Sequence, residues 1–166
     1  AGKHTKKGVA IICQSGTIGN TISFNNRSLP IGYIISLGNQ SQITVEDSID
    51  YVLEDKRVTA IGIYAESFTN LEKLIKIFKK SRLKKIPIAL VKVGRSKVAS
   101  KAILTHTGSL SGKEDIYDSL LQRMGIARCD TLGELCEILK LFHIHGVLKN
   151  DKVSIMGPSG GDMAMI

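Results

Sequence analysis

Short apolar, β-branched runs alternate with amphipathic helical stretches along the whole chain, and this alternation constrains the fold more than any other feature. Val9 to Cys13 reads as a buried strand, closed by Gln14-Ser15-Gly16. The spacing predicts a helix over Thr17 to Leu29 ahead of Pro30, a strand over Ile31 to Leu37 closed by Gly38 and Asn39, and a helix over Val45 to Leu53. A third strand is expected over Val58 to Tyr64. It is followed by an amphipathic helix over Leu71 to Phe78 and a fourth strand over Ile86 to Val93. A long Gly/Ser/Thr loop covers Gly94 to Gly112. Then come a helix over Lys113 to Met124, a short strand over Ile126 to Cys129 and a helix over Thr131 to His145. Val153 to Met156 is a sixth apolar run, ahead of Gly157-Pro-Ser-Gly-Gly161. Strands that are apolar throughout and separated by helices call for an α/β fold: a doubly wound parallel sheet with helices on both faces.

The 166 residues make about one domain. The shift in composition at Gly146 to Asp151 marks a boundary, after which a second βα unit begins. The chain starts at Ala1 and runs out in an apolar stretch after Gly161, so we expect a fragment of a longer polypeptide. No apolar run approaches the roughly 20 residues of a membrane span, and no signal peptide is legible. We therefore expect no membrane partner. Cys13, Cys129 and Cys136 are odd in number and include no CxxC pair, which fits a reduced cytoplasmic protein and excludes a four-thiolate zinc site. No metal site is expected.

The formal charge of +8 favours anionic partners. Much of the excess lies between Lys73 and Lys101, where Lys73, Lys76, Lys79, Lys80 and Arg82 read as a solvated helix face. Aromatic content of 5%, with no tryptophan and no recognisable nucleic-acid motif, argues against nucleic acid as the partner.

In a doubly wound sheet the loops at the carboxyl ends of the strands share one rim, and ligands bind there. Four segments fall on that rim: Gln14 to Thr17, Ser36 to Asn39, Glu66-Ser67, and the loop containing Thr105-His106-Thr107-Gly108-Ser109. Ser15-Gly16-Thr17 opens a helix directly after a buried strand. Its N–H groups suit phosphate, although a plain strand–turn–helix remains the alternative. His106 could be an exposed bystander and Glu66 a surface residue. If they meet, a carboxylate holding one imidazole nitrogen leaves the other as a nucleophile. His143 and His145, two apart near a helix end, read as capping or exposed residues, and Cys13 as core filler.

Five motifs follow in order: Ile11-Ile-Cys-Gln-Ser-Gly-Thr-Ile-Gly19, Ser36-Leu-Gly-Asn-Gln40, Ile63-Tyr-Ala-Glu-Ser67, Lys92-Val-Gly-Arg-Ser96 and Thr105-His-Thr-Gly-Ser-Leu-Ser-Gly112. Together they resemble the succinyl-CoA-synthetase-like, flavodoxin-like domain of the NDP-forming acyl-CoA synthetases. Gly125 to Leu135 resembles the strand–helix that closes that domain, and Val153 to Ile166 the opening of the next flavodoxin-like domain. The expected organisation is a first domain over 6–147 and the start of a second, truncated, over 151–166.

The family makes acyl-CoA from a carboxylic acid, CoA and a nucleoside triphosphate through a phosphohistidine. The resemblance implies that His106 carries the phosphoryl group and that Glu66 orients its imidazole. It also implies that Ser15, Gly16 and Thr17 begin one phosphate-binding helix and that Ser159, Gly160 and Gly161 begin a second. Asn39 falls on the rim as a substrate-binding candidate. CoA would be a substrate, while ATP or GTP with Mg2+ would be bound by domains absent from this chain. The implied partners are the remaining domains or subunits of the synthetase, with a homodimer left open, and the isolated chain is expected to be inactive as a ligase. The alternative is a non-catalytic, CoA-ligase-like regulatory module of a protein acetyltransferase; an intact His106 favours the enzyme.

Overall fold

Six residues with no charge among them form the first strand, β1 (Gly8–Cys13), which is buried along its whole length, as a strand covered on both faces must be. The computed structural model describes residues 5–24, 28–94, 114–150, 152, 154 and 156–164. The other strands are β2 (Ile31–Ser36), β3 (Val58–Ala65), β4 (Ile88–Lys92) and β5 (Ala127–Cys129). The helices are α1 (Gly16–Ser23), α2 (Val45–Val52), α3 (Leu71–Lys84), α4 (Glu114–Met124), α5 (Leu132–His145) and α6 (Gly160–Ala164). The pairings are parallel, in the order β2-β1-β3-β4-β5. The chain therefore winds one way from β1 to β2 and the other way from β3 onward, which is the doubly wound, flavodoxin-like topology.

Strand side chains alternate between two cores. Ala10, Ile12, Ile61, Ile63, Ile88 and Leu90 pack against Val45, Ile49, Leu74, Phe78 and Leu121 of α2, α3 and α4. Val9, Ile11, Ala60, Ala89 and Val91 pack against Ile22 of α1 and Leu135, Cys136 and Leu139 of α5. Gly62 lets α5 approach the middle of the sheet, because a Cβ there would stand 2.5 Å from Leu139 Cδ1. The edge strand β2 is half-buried and exposed by turns, as a strand with a neighbour on one side only should be. Cys13, Cys129 and Cys136 are all buried. Burial pushes the Cys13 thiol above its ordinary range and that of Cys129 up to about 11, so both stay protonated at neutral pH.

Several elements differ from the sequence reading. The first helix ends at Ser23, well short of Leu29. Thr21 Oγ1 and Ser23 Oγ donate to the carbonyls of Thr17 and Asn20, which offers the backbone an alternative to continuing the helix. Leu29 precedes a proline, which disfavours helical backbone. The fourth strand starts at Ile88 and stops at Lys92. The helix expected over Leu71 to Phe78 runs on to Lys84, and Lys85 closes it in the left-handed conformation at φ 57°. Lys152, Ser154 and Met156 are not in strand, and Met156 is exposed.

The basic face of α3 is not simply solvated. It lies beside acidic α2, where Lys73 pairs with Asp47 and Lys80 with Asp50. Lys80 and Lys84 also hold Glu54 at 2.7 Å. Those two lysines keep the Glu54 carboxyl down at about 2. Lys73, then Thr44, holds Asp47 well below the carboxylate range, and Arg57, then Tyr33, does the same for Asp55. Carboxyls depressed in the folded state favour folding above the unfolded value near 4, and that contribution is lost as pH falls through the folded values. Stability is therefore expected to be flat from neutral pH to about 5 and to fall progressively below about 4. Because these pairs are exposed, the slope should flatten in high salt. Urea midpoints between pH 7 and pH 2 at two ionic strengths check this; a midpoint unchanged down to pH 2 would contradict it.

Candidate active site at the carboxyl edge of the sheet

Parallel pairing brings the carboxyl ends of β1, β2, β3 and β4 to one rim. The register sets Cys13 beside Ser36 and Tyr64, and Ala65 beside Lys92. The winding direction changes between β1 and β3, and in open α/β sheets the crevice for a ligand falls at such a switch point. Gln14 and Glu66 follow those two strands directly.

Gln14 ties the crevice together. It is 6% exposed; its backbone N–H donates to the Tyr64 carbonyl at 3.1 Å. Its Oε1 accepts the N–H of Glu66 and, at 3.1 Å, that of Ser67. Gln40, also buried, works from the β2 side: its Oε1 accepts the Val45 N–H at 2.8 Å and its Nε2 donates to the Ser67 carbonyl at 3.4 Å. The Gln40 backbone is left-handed, at φ 59°. From β4, Lys92 donates to the carbonyls of Glu66 and Val93, both at 3.2 Å, with its ammonium 4.9 Å from the Tyr117 ring centroid.

Inside this frame, Glu66 Oε2 is buried and has no hydrogen-bond partner among the described residues. A buried carboxylate oxygen is costly when left unmet, and native structures rarely keep one without a use. Burial, and after it the Glu66 charge, raises the Tyr64 hydroxyl above its ordinary range.

Helix α1 opens on the same rim. Ser15 sits at its N-cap in extended backbone, but its hydroxyl makes no capping bond, and the first turn carries no acidic residue. Thr44, Asn70 and Thr131 do cap α2, α3 and α5 through their side chains. Ser15, Gly16 and Thr17 thus bring to the crevice a helix N-terminus whose leading N–H groups the cap hydroxyl does not meet.

Asn39 is exposed, and its Oδ1 accepts the Ser41 N–H at 3.3 Å in a local turn. Its neighbour Gln40 is the residue that reaches the rim. Ser159, Gly160 and Gly161 are exposed at the start of α6, a helix of five residues. His106 lies outside the described residues, as does the rest of the Thr105 to Gly112 motif. His143, read as capping or exposed, is half-buried, with Nδ1 2.7 Å from Thr59 Oγ1 at the far end of β3. Among the described residues, no group of three or more His, Cys, Asp or Glu could hold a metal ion. No helix among them is long and apolar enough to cross a membrane.

Gln14, Gln40 and Lys92 are the site residues that sequence reasoning did not single out. All three stood inside quoted motifs, but nothing local marked their side chains as buried.

Sheet order and crevice define a flavodoxin-like domain with its working edge at the β1/β3 switch. The chain belongs to the succinyl-CoA ligase-like flavodoxin domain family, whose model matches residues 6–142. It is 35% identical over 158 residues to the ADP-forming acetate–CoA ligase of Methanocaldococcus jannaschii, covering 94% of this chain and 22% of that protein. It is 33% identical over 159 residues to the alpha subunit of the ADP-forming acetate–CoA ligase II of Pyrococcus furiosus, covering 94% of this chain and 34% of that one. Among solved structures, it is similar to the dinucleotide-forming acetyl-coenzyme A synthetase 1 of Candidatus Korarchaeum cryptofilum, in complex with phosphate and ADP. That match has a TM-score of 0.78 and 26% identity, and covers 89% of this chain and 32% of the other. The chain thus spans about a fifth to a third of the length of these relatives.

Proposed function

We propose that this chain is the phosphoryl-relay domain of an NDP-forming acyl-CoA synthetase, which joins a carboxylic acid to CoA at the expense of a nucleoside triphosphate. The observation that carries the reading is Glu66 Oε2, buried and without a hydrogen-bond partner among the described residues, at the strand switch beside the N-terminus of α1. A carboxylate so held is an acceptor waiting for a donor, and an imidazole N–H supplies one. His106 is the residue we assign to it. With one ring nitrogen held by Glu66, the other attacks phosphorus; an N–P bond forms as the P–O bond to the departing carboxylate or nucleotide breaks. The phosphoryl group brings about two negative charges, and the N–H groups behind Ser15, Gly16 and Thr17 replace the water it loses.

We assign nucleotide, Mg2+ and the main CoA site to other domains or subunits of a cytoplasmic synthetase; among the described residues no group of three or more His, Cys, Asp or Glu could hold a metal ion. The stretch 151–166 is read as the start of a second flavodoxin-like domain, with Ser159, Gly160 and Gly161 opening its phosphate-facing helix. Asn39 is assigned to the substrate side of the rim.

A phosphoimidazole is labile in acid and stable in alkali. The complete synthetase incubated with radiolabelled ATP is expected to carry a protein-bound label with that stability, mapping to the peptide that contains His106. A protein that takes up no such label, but binds CoA, would instead be a non-catalytic regulatory module.

A further inference from the structure

Lys92 ends β4 and is 4% exposed. Burying an ammonium is unfavourable unless its donors are met. Here they reach the carbonyls of Glu66 and Val93 at 3.2 Å, with the Tyr117 ring 4.9 Å away. A lysine needed only for solubility would extend into water, and an apolar side chain would fill the space at less cost. The carbonyl it holds belongs to Glu66, whose N–H is held by Gln14 from the opposite side. Glu66 is therefore fixed at both of its backbone groups by side chains from the two neighbouring strand ends.

We propose that Lys92 is a positioning residue of the phosphoryl site: it clamps Glu66 through the main chain and keeps a fixed positive charge at the rim where the phosphoryl group is transferred. It forms no bond to phosphorus. This rests on the relay reading above.

The test uses the complete synthetase with radiolabelled ATP and counts acid-labile label per folded molecule, the folded fraction being taken from near-ultraviolet circular dichroism. Lys92→Gln, which can still donate to the Glu66 carbonyl but carries no charge, is expected to label at least about tenfold more slowly. Lys92→Met, which loses both, should label more slowly still. Lys92→Arg, which keeps charge and donors, should recover label relative to Met. The loss should appear in kcat, with KM for the carboxylic acid little changed. A folded Lys92→Gln protein that labels at the wild-type rate overturns the proposal and leaves the relay reading standing. So does a Lys92→Met loss that merely follows the folded fraction. Absence of label in the wild type overturns both.

Discussion

A complete synthetase carrying His106→Ala is expected to take up no acid-labile phosphoryl label and to make no acyl-CoA, because none of the described side chains is assigned the nucleophile's role in its place. Replacing Glu66 with Gln should act less completely. Gln retains an acceptor oxygen for the imidazole but has no charge to stabilise the ring as it becomes cationic. Losing a charge-assisted hydrogen bond costs on the order of 1.5–3 kcal/mol, about 10- to 150-fold in rate. The same substitution should leave the fold at least as stable, because Oε2 loses no hydrogen bond to any of the described residues. Removing an unmet buried charge is neutral or favourable. Thermal melting of the chain and single-turnover labelling of the complete enzyme separate the two effects. A Glu66→Gln protein that melts several degrees lower but labels normally would make Glu66 a structural residue and sink the assignment. A full label in the His106→Ala protein would do the same for the nucleophile.

The sheet was legible because its signal is local. Runs such as Val9 to Cys13 and Ile88 to Val91 are β-branched or apolar, lie between turn residues and are buried on both faces, and periodicity reports that directly. The end of α1 was not legible, because helix propensity is weak between Thr17 and Leu29 and side-chain hydroxyls that bond back to the helix decide the outcome. The site divides in the same way. Ser15 and Glu66 follow strands, so topology alone assigns them to the rim. Gln40 looks like any polar loop residue, since its partner Ser67 is 27 positions away. Lys92 reads as one more cation in a chain of net charge +8, and only the approach of Tyr117 and the Glu66 carbonyl reveals a buried role. Contacts between distant segments made those side chains functional candidates, and a reading along the chain has no access to them.

The largest loss of stability from a single polar side chain is expected at Glu46. This residue lies in the first turn of α2, where a carboxylate suits the helix dipole, and it is fully buried. Its Oε1 accepts the backbone N–H groups of Thr69 and Asn70, both at 2.8 Å, and the Thr69 hydroxyl is 3.3 Å from Oε2. Those N–H groups belong to the segment that leads from Glu66 into α3, so an acid on one helix holds the loop that carries Glu66. Glu46→Ala would remove two charge-assisted bonds and leave two main-chain donors facing a cavity, a cost of about 3 kcal/mol, or a fall in melting temperature of roughly 6–12 °C for a chain of this size. Glu46→Gln keeps one acceptor oxygen and should cost about 1 kcal/mol. Because Gln14 and Gln40 still hold Glu66 and Ser67 from the other side, the Glu46→Gln protein should keep most of its labelling rate at temperatures where it is folded. Urea unfolding of the three proteins gives the order. A Glu46→Ala protein within about 0.5 kcal/mol of the wild type, the range of an ordinary surface change, would mean that water enters and satisfies the loop unaided, so that α2 does not fix the position of Glu66.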